Sequence, residues 1–207
     1  MEFEITNILK NIVLVYKELS VEDTKRDDFK AILKSKKVAS IEEPDRLLLF
    51  APPPINVVFQ IGDRRIITID QNNKPADKSP ICEMAIKANK LDGHSDLIAF
   101  GFNYHVKIKW IGKKPVREYL NSRFIKDKQK LASVINGEII SAIPRIRFKR
   151  GTNQYDLNFD ILDESNLSTR LNVHFKSDIL PEEEKFIELF IKEYSEFVNI
   201  IKNFLEI

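Results

Sequence analysis

The chain has 207 residues, 43% of them hydrophobic and 31% charged, with 33 basic against 31 acidic side chains and a net charge of +2. That composition fits one ordinary domain with a sizeable core, and the single cysteine, Cys82, excludes an internal disulfide. A lone thiol points to a reducing compartment, and the start MEFEITNILKNIVLVY is too short and too broken by charge for a leader or a membrane span, so a cytoplasmic protein with no membrane partner is expected.

In chain order, ILKNIVLVY (residues 8–16) ends in a β-branched run and predicts a strand. Ser20 has the character of an N-cap, with Glu22 and Asp23 in the first turn and Lys34, Lys36 and Lys37 near the end. A helix is therefore expected from Val21 to about Lys36. Arg46 to Phe50 is a short apolar run, stopped by Pro52, Pro53 and Pro54, which make a rigid extended connector. INVVFQIGDRRIITID places two β-rich runs on either side of Gly62-Asp63 and predicts a hairpin over residues 55–70. Residues 71–79 are polar and read as a loop. Pro80 stands where a first helical turn tolerates it and opens a helix to about Lys90.

Residues 97–111 alternate most regularly. Ile98, Phe100, Phe102, Tyr104, Val106, Ile108 and Trp110 fall on one face, which predicts a long strand with Gly101 as the natural place for a bulge. Pro115 to about Val134 reads as a basic helix. Three strands follow, at about 139–149, 154–162 and 169–176. Paired as a meander, they set the outward Asp156 and Asp160 between Arg145, Arg147 and Lys149 on one side and Arg170, His174 and Lys176 on the other. Pro181 and Glu182 to Glu184 then open the longest helix, to about Leu205.

The fold class that follows is α+β: mainly antiparallel sheet with about four helices, ending in a three-strand meander and a long amphipathic C-terminal helix. Residues 1–135 form a body containing the hairpin 55–70 and the long strand 97–111. Residues 138–207 form the meander and helix, packed with the body as one continuous domain.

The near balance of charge hides a polarity. From His105 to Arg150 there are thirteen Lys and Arg against three Asp and Glu, and from Tyr155 to the end five against twelve. A basic middle before an acidic end implies internal pairing or a charged binding face. The basic candidates are Lys107, Lys109, Lys113, Lys114, Arg117, Arg123, Lys126, Lys128 and Lys130, interleaved with Trp110, Tyr119 and Phe124 as in a single-stranded nucleic-acid site. Against this, Trp110 belongs to an apolar strand face. The second candidate surface is the C-terminal helix, where Ile187, Ile191, Tyr194, Val198, Ile201 and Leu205 recur at 4-3-4-3-4 spacing. Phe186, Phe190, Phe197, Ile200 and Phe204 widen this stripe into an arc broad enough for a partner helix.

Signals for catalysis are weaker. Cys82, expected in a first helical turn, is a candidate nucleophile or simply a core residue. His94, His105 and His174 have no metal-ligand spacing, although His105 and His174 would approach if their strands were neighbours. Asp156 and Asp160 share a strand face about 13 Å apart, too far to couple. Gly62-Asp63-Arg64-Arg65 is a turn with no helix after it, unlike a phosphate loop. No catalytic residue, metal or cofactor is assigned. The expected function is a non-enzymatic protein-binding or self-assembling module, with nucleic-acid binding through residues 107–130 as the alternative and an enzyme using Cys82 as the third reading.

Overall fold

The structure, a computed structural model, describes residues 3–19, 39–43, 46–51, 55–60, 63–92, 96–140 and 143–206. Among these the strands are β1 (Phe3–Tyr16), β2 (Ala39–Glu43), β3 (Arg46–Ala51), β4 (Ile55–Gln60), β5 (Arg65–Asp70), β6 (Leu97–Trp110), β7 (Arg145–Arg150), β8 (Asn153–Ile161) and β9 (Asn166–Phe175). The α-helices are α1 (Ile81–Asp92), between β5 and β6, α2 (Val116–Phe124) and α3 (Lys128–Ile135), between β6 and β7, and α4 (Glu183–Glu206) at the end. The strands form one antiparallel sheet in the order β2-β3-β4-β5-β1-β6-β9-β8-β7. The chain is thus α+β, with the meander and long final helix that its pattern predicts. The meander does not stand apart from the body, because β9 pairs with β6 from Phe100 to Lys109.

Several local expectations need correction. β1 begins at Phe3, five residues early, because Phe3 and Ile5 already alternate with exposed Glu4 and Thr6. Pro115 to Val134 is not one helix. It breaks at residues 125–127, where Asp127 caps α3 by accepting a hydrogen bond from the Lys130 amide at 2.8 Å. The strand expected from residue 139 begins only at Arg145, just after Pro144. The helix expected over 21–36 and the prolines 52–54 lie outside the described residues.

The expected bulge at Gly101 is also misplaced. The register of β1 against β6 shifts between Asn7 and Leu9 and between Val15 and Tyr16, which turns Ile98 off the apolar face and leaves it 45% exposed. Gly101 itself is in regular register with Val13 and His174. A Cβ there would stand 2.9 Å from the Val173 carbonyl oxygen, so the glycine permits close approach of β9.

One face of the sheet carries the core. Phe100, Phe102 and Tyr104 of β6, Phe175 of β9 and Phe186, Phe190 and Phe197 of α4 are all buried. The Phe102 ring lies 5.2 to 5.7 Å from those of Phe100, Phe175, Phe186 and Phe190. Tyr104 Oη donates to the Phe190 carbonyl at 2.7 Å, tying helix to strand. α1 covers β5 and β1 beside α4, with Tyr16 Oη donating to Asn89 Oδ1 at 2.9 Å.

Three charged side chains are buried under this face among the described residues. The Lys10 ammonium, fully buried on β1, lies 3.5 Å from Asp70 on β5 and donates to the Asn72 and Lys74 carbonyls at 3.0 and 2.8 Å. Asp70 accepts from the Asn72 amide and from Ser79 Oγ, so one ion pair pins the whole 71–79 loop. On α4, Glu193 is 5% exposed. Tyr155 Oη donates to its Oε1 at 3.1 Å, and no hydrogen-bond partner reaches Oε2. Burial raises its pKa above 4.5, with Tyr155, Arg150 and Lys192 opposing. Folding therefore favours the protonated acid, and the cost of the carboxylate is full above the folded-state pKa and absent below 4.5. Glu193→Gln should add about 1 kcal/mol of stability at pH 7. The gain should vanish as pH falls below 4.5 in parallel urea titrations of both proteins.

Candidate functional site

The opposite face of the sheet is polar along a row that runs from Asn11 on β1 across to β7. Alternation sends Asn11 on β1, Asn103 on β6, Asn172 on β9, Asp156 on β8 and Arg147 on β7 to this side, and the register aligns all five in one row. Asn103 Nδ2 donates to Asn11 Oδ1 at 2.5 Å, and Asn172 Nδ2 donates to Asn103 Oδ1. Arg145 grips Asp156 with two hydrogen bonds, of 3.0 and 2.6 Å, and Arg147 adds a third at 3.2 Å. These arginines hold the Asp156 carboxyl below its ordinary pKa. Three shallow depressions of about 580, 770 and 590 Å³ meet at Asn172.

Around this amide row the charge is mainly positive. Lys107, Lys109, Arg170, Lys176, Arg145, Arg147 and Lys149 stand against Asp156 and Asp160 over β6, β9, β8 and β7. Towards β1 the face turns apolar, with Val13, Val15 and Ile98 lining one depression. The expected acidic row between two basic rows is present, with Asp156 opposite Arg147.

Lys107 and Lys109 of the sequence-predicted basic stretch lie on this face, and Lys109 pairs with Glu4 at 3.7 Å. Lys113, Lys114, Arg117, Arg123, Lys126, Lys128 and Lys130 are exposed on the loop, α2 and α3 that follow. The aromatics divide: Arg123 lies over the half-buried Tyr119 ring and Phe124 is 42% exposed, whereas Trp110 is withdrawn. Trp110 is 5% exposed, packs on Tyr119 and donates to the Lys114 carbonyl. Tyr119 donates to the Leu205 carbonyl, and Phe124 stacks on Phe204.

The C-terminal stripe divides. Ile201 and Leu205 are fully buried, and Ile187, Ile191, Tyr194 and Val198 are half-buried on the flank. Phe186, Phe190 and Phe197 take the centre of the buried face, and Tyr194 donates to Asn7 on β1 at 2.7 Å. A helix that covers the sheet and packs beside α1 accounts for the breadth of the arc.

His105 and His174 do lie on neighbouring strands, but they do not meet. His105 is in register with Arg170 and His174 with Gly101, a separation of about 13 Å along the strands. His105 shares a 2.7 Å hydrogen bond with Ser168, and burial, then Arg170, lowers its pKa while Asp160 opposes. His94 lies outside the described residues. Cys82 is buried at 3% exposure, and burial pushes its thiol up to about 12, the reverse of an activated nucleophile. Among the described residues no three His, Cys, Asp or Glu side chains converge as metal ligands, and no helix is long and apolar enough to cross a membrane.

Compared with models of known protein families and with curated proteins, the chain matches none.

Proposed function

We propose that this chain is a non-enzymatic protein-binding module that holds an acidic segment of a partner on the open face of its sheet. The observation that carries the reading is the amide row Asn11–Asn103–Asn172, hydrogen-bonded across three strands and flanked by the basic residues of β9 and β7. Amides donate to and accept from backbone and carboxylate groups, and the flanking cations select negative charge. Among the described residues, alternation turns most Phe and Tyr of β6, β8 and β9 to the buried face, and half-buried Phe148 with Tyr155 lines one of the depressions.

Fluorescence anisotropy with a labelled poly-glutamate peptide, at low and at near-physiological salt, tests this. Binding in the micromolar range that weakens with salt and is lost in Lys149→Glu with Arg170→Glu supports the reading. No binding at low salt, where electrostatics are strongest, removes it. The second reading, nucleic-acid binding, is favoured by the exposed Lys113 to Lys130 cluster. It takes over if a single-stranded oligonucleotide binds more tightly than the peptide and changing Lys113, Lys114 and Lys126 together abolishes that binding.

A further inference from the structure

We propose that a second copy of this chain covers α3, in an antiparallel α3–α3 contact about a two-fold axis. α3 has eight residues and none is buried. A two-turn helix is marginal by itself and depends on packing an apolar face. Its caps are well made: Asp127 holds the first turn, and Asn136, in the left-handed region at φ 50°, closes the last. Its apolar face, however, is largely open to solvent. Leu131, Val134 and Ile135, spaced i, i+3 and i+4 on one side, are 42, 76 and 55% exposed, and Ile140 just beyond is 69% exposed.

The charge order says what covers this stripe. α3 carries Lys128 and Lys130 in its first turn, no acid there and no base in its last turn, with Glu138 following. That is the reverse of what a helix dipole favours. In an antiparallel pair Lys128 and Lys130 of each copy, which outnumber the Asp127 cap beside them, lie near the carbonyl end and Glu138 of the other. The surface is therefore complementary to itself, as a two-fold contact requires. An anionic lipid surface would satisfy the lysines but repel Glu138. Few side chains take part, so the contact belongs to the weak class and populates at high micromolar concentration or above.

The test is the mass of the full chain by sedimentation equilibrium from micromolar to millimolar protein. The mass should approach twice the monomer's. Leu131→Asp with Val134→Asp should stay monomeric while keeping its circular dichroism and melting temperature, since both side chains are exposed. Because Cys82 is the chain's one cysteine and is buried, Val134→Cys supplies a single accessible thiol. It should cross-link on mild oxidation, whereas Ser133→Cys, on the opposite side of the helix, should not. Lys128→Glu should weaken the dimer and Lys128→Glu with Glu138→Lys should restore it. A wild type monomeric at the highest concentration, or equal cross-linking at 133 and 134, overturns the proposal. So does a monomer that co-floats with phosphatidylserine vesicles through Leu131 and Val134, which would assign the stripe to a membrane surface.

Discussion

Asp70→Asn should lower the stability of the fold by about 3–5 kcal/mol at pH 7, a large part of the roughly 5–15 kcal/mol available to a domain. The substitution keeps the shape of the side chain and removes only its charge. Lys10, fully buried opposite it, is left with the carbonyls of Asn72 and Lys74 and no counter-ion. The pH dependence identifies the cause. Burial already holds the Lys10 pKa below its ordinary 10.5, against the pull of Asp70, and removing that pull lowers it further. A lysine depressed in the folded state costs most below its folded-state pKa, and the cost fades as pH rises towards 10.5. Urea titrations at pH 7 and pH 10 should show a smaller loss at the higher pH. An equal loss at both would mean that the 71–79 loop is held by hydrogen bonds to Asp70 alone. Lys10→Met combined with Asp70→Asn, which removes both buried charges, should cost less than Asp70→Asn alone.

Phe102→Ala should cost about 3–5 kcal/mol. The side chain is fully buried, and its ring touches two neighbours in the sheet and two on α4. Truncation opens a cavity between sheet and helix that cannot collapse, because Tyr104 Oη holds α4 at the Phe190 carbonyl. Phe102→Leu should cost distinctly less, since it refills most of the volume. Thermal unfolding of the two variants separates them. If the leucine variant is as unstable as the alanine one, ring geometry rather than volume holds α4 in place.

The sequence was most legible where one chemical signal decided the outcome locally. Period-two alternation located β6, β8 and β9, and proline with a run of glutamates located the start of α4. β2, with the sequence ASIEE, went unseen because only Ala39 and Ile41 alternate in it, too short a run to mark a strand without its pairing to β3. The break between α2 and α3 was hidden because the basic, helix-favouring pattern runs on through Lys126, and a single aspartate cap overrides it.

The candidate site was half legible. Each strand pattern sent Asn103, Asn172 and Asp156 outward. That they would fall in one row depends on register between residues 92 apart, Asn11 and Asn103, and 69 apart, Asn103 and Asn172. Local pattern carries no information about such pairings. Lys10 fails for the same reason. In ILKNIVLVY it looks like an interruption of an apolar strand, and only the pairing of β1 with β5 brings Asp70 opposite it.

The position of β1 in the sheet also sets the order in which the chain can mature during synthesis. β1 is made before the other described strands, yet it belongs between β5 and β6, and Ile12 meets Phe102 ninety residues later. At about 5–20 residues per second, roughly 5–20 s pass before that second edge can be satisfied. Through this interval an apolar, β-branched segment waits with open backbone groups, and the growing chain is exposed to misassembly with its neighbours. Chains truncated before residue 97 lack the partner of β1 on that edge and should accumulate as aggregation-prone species.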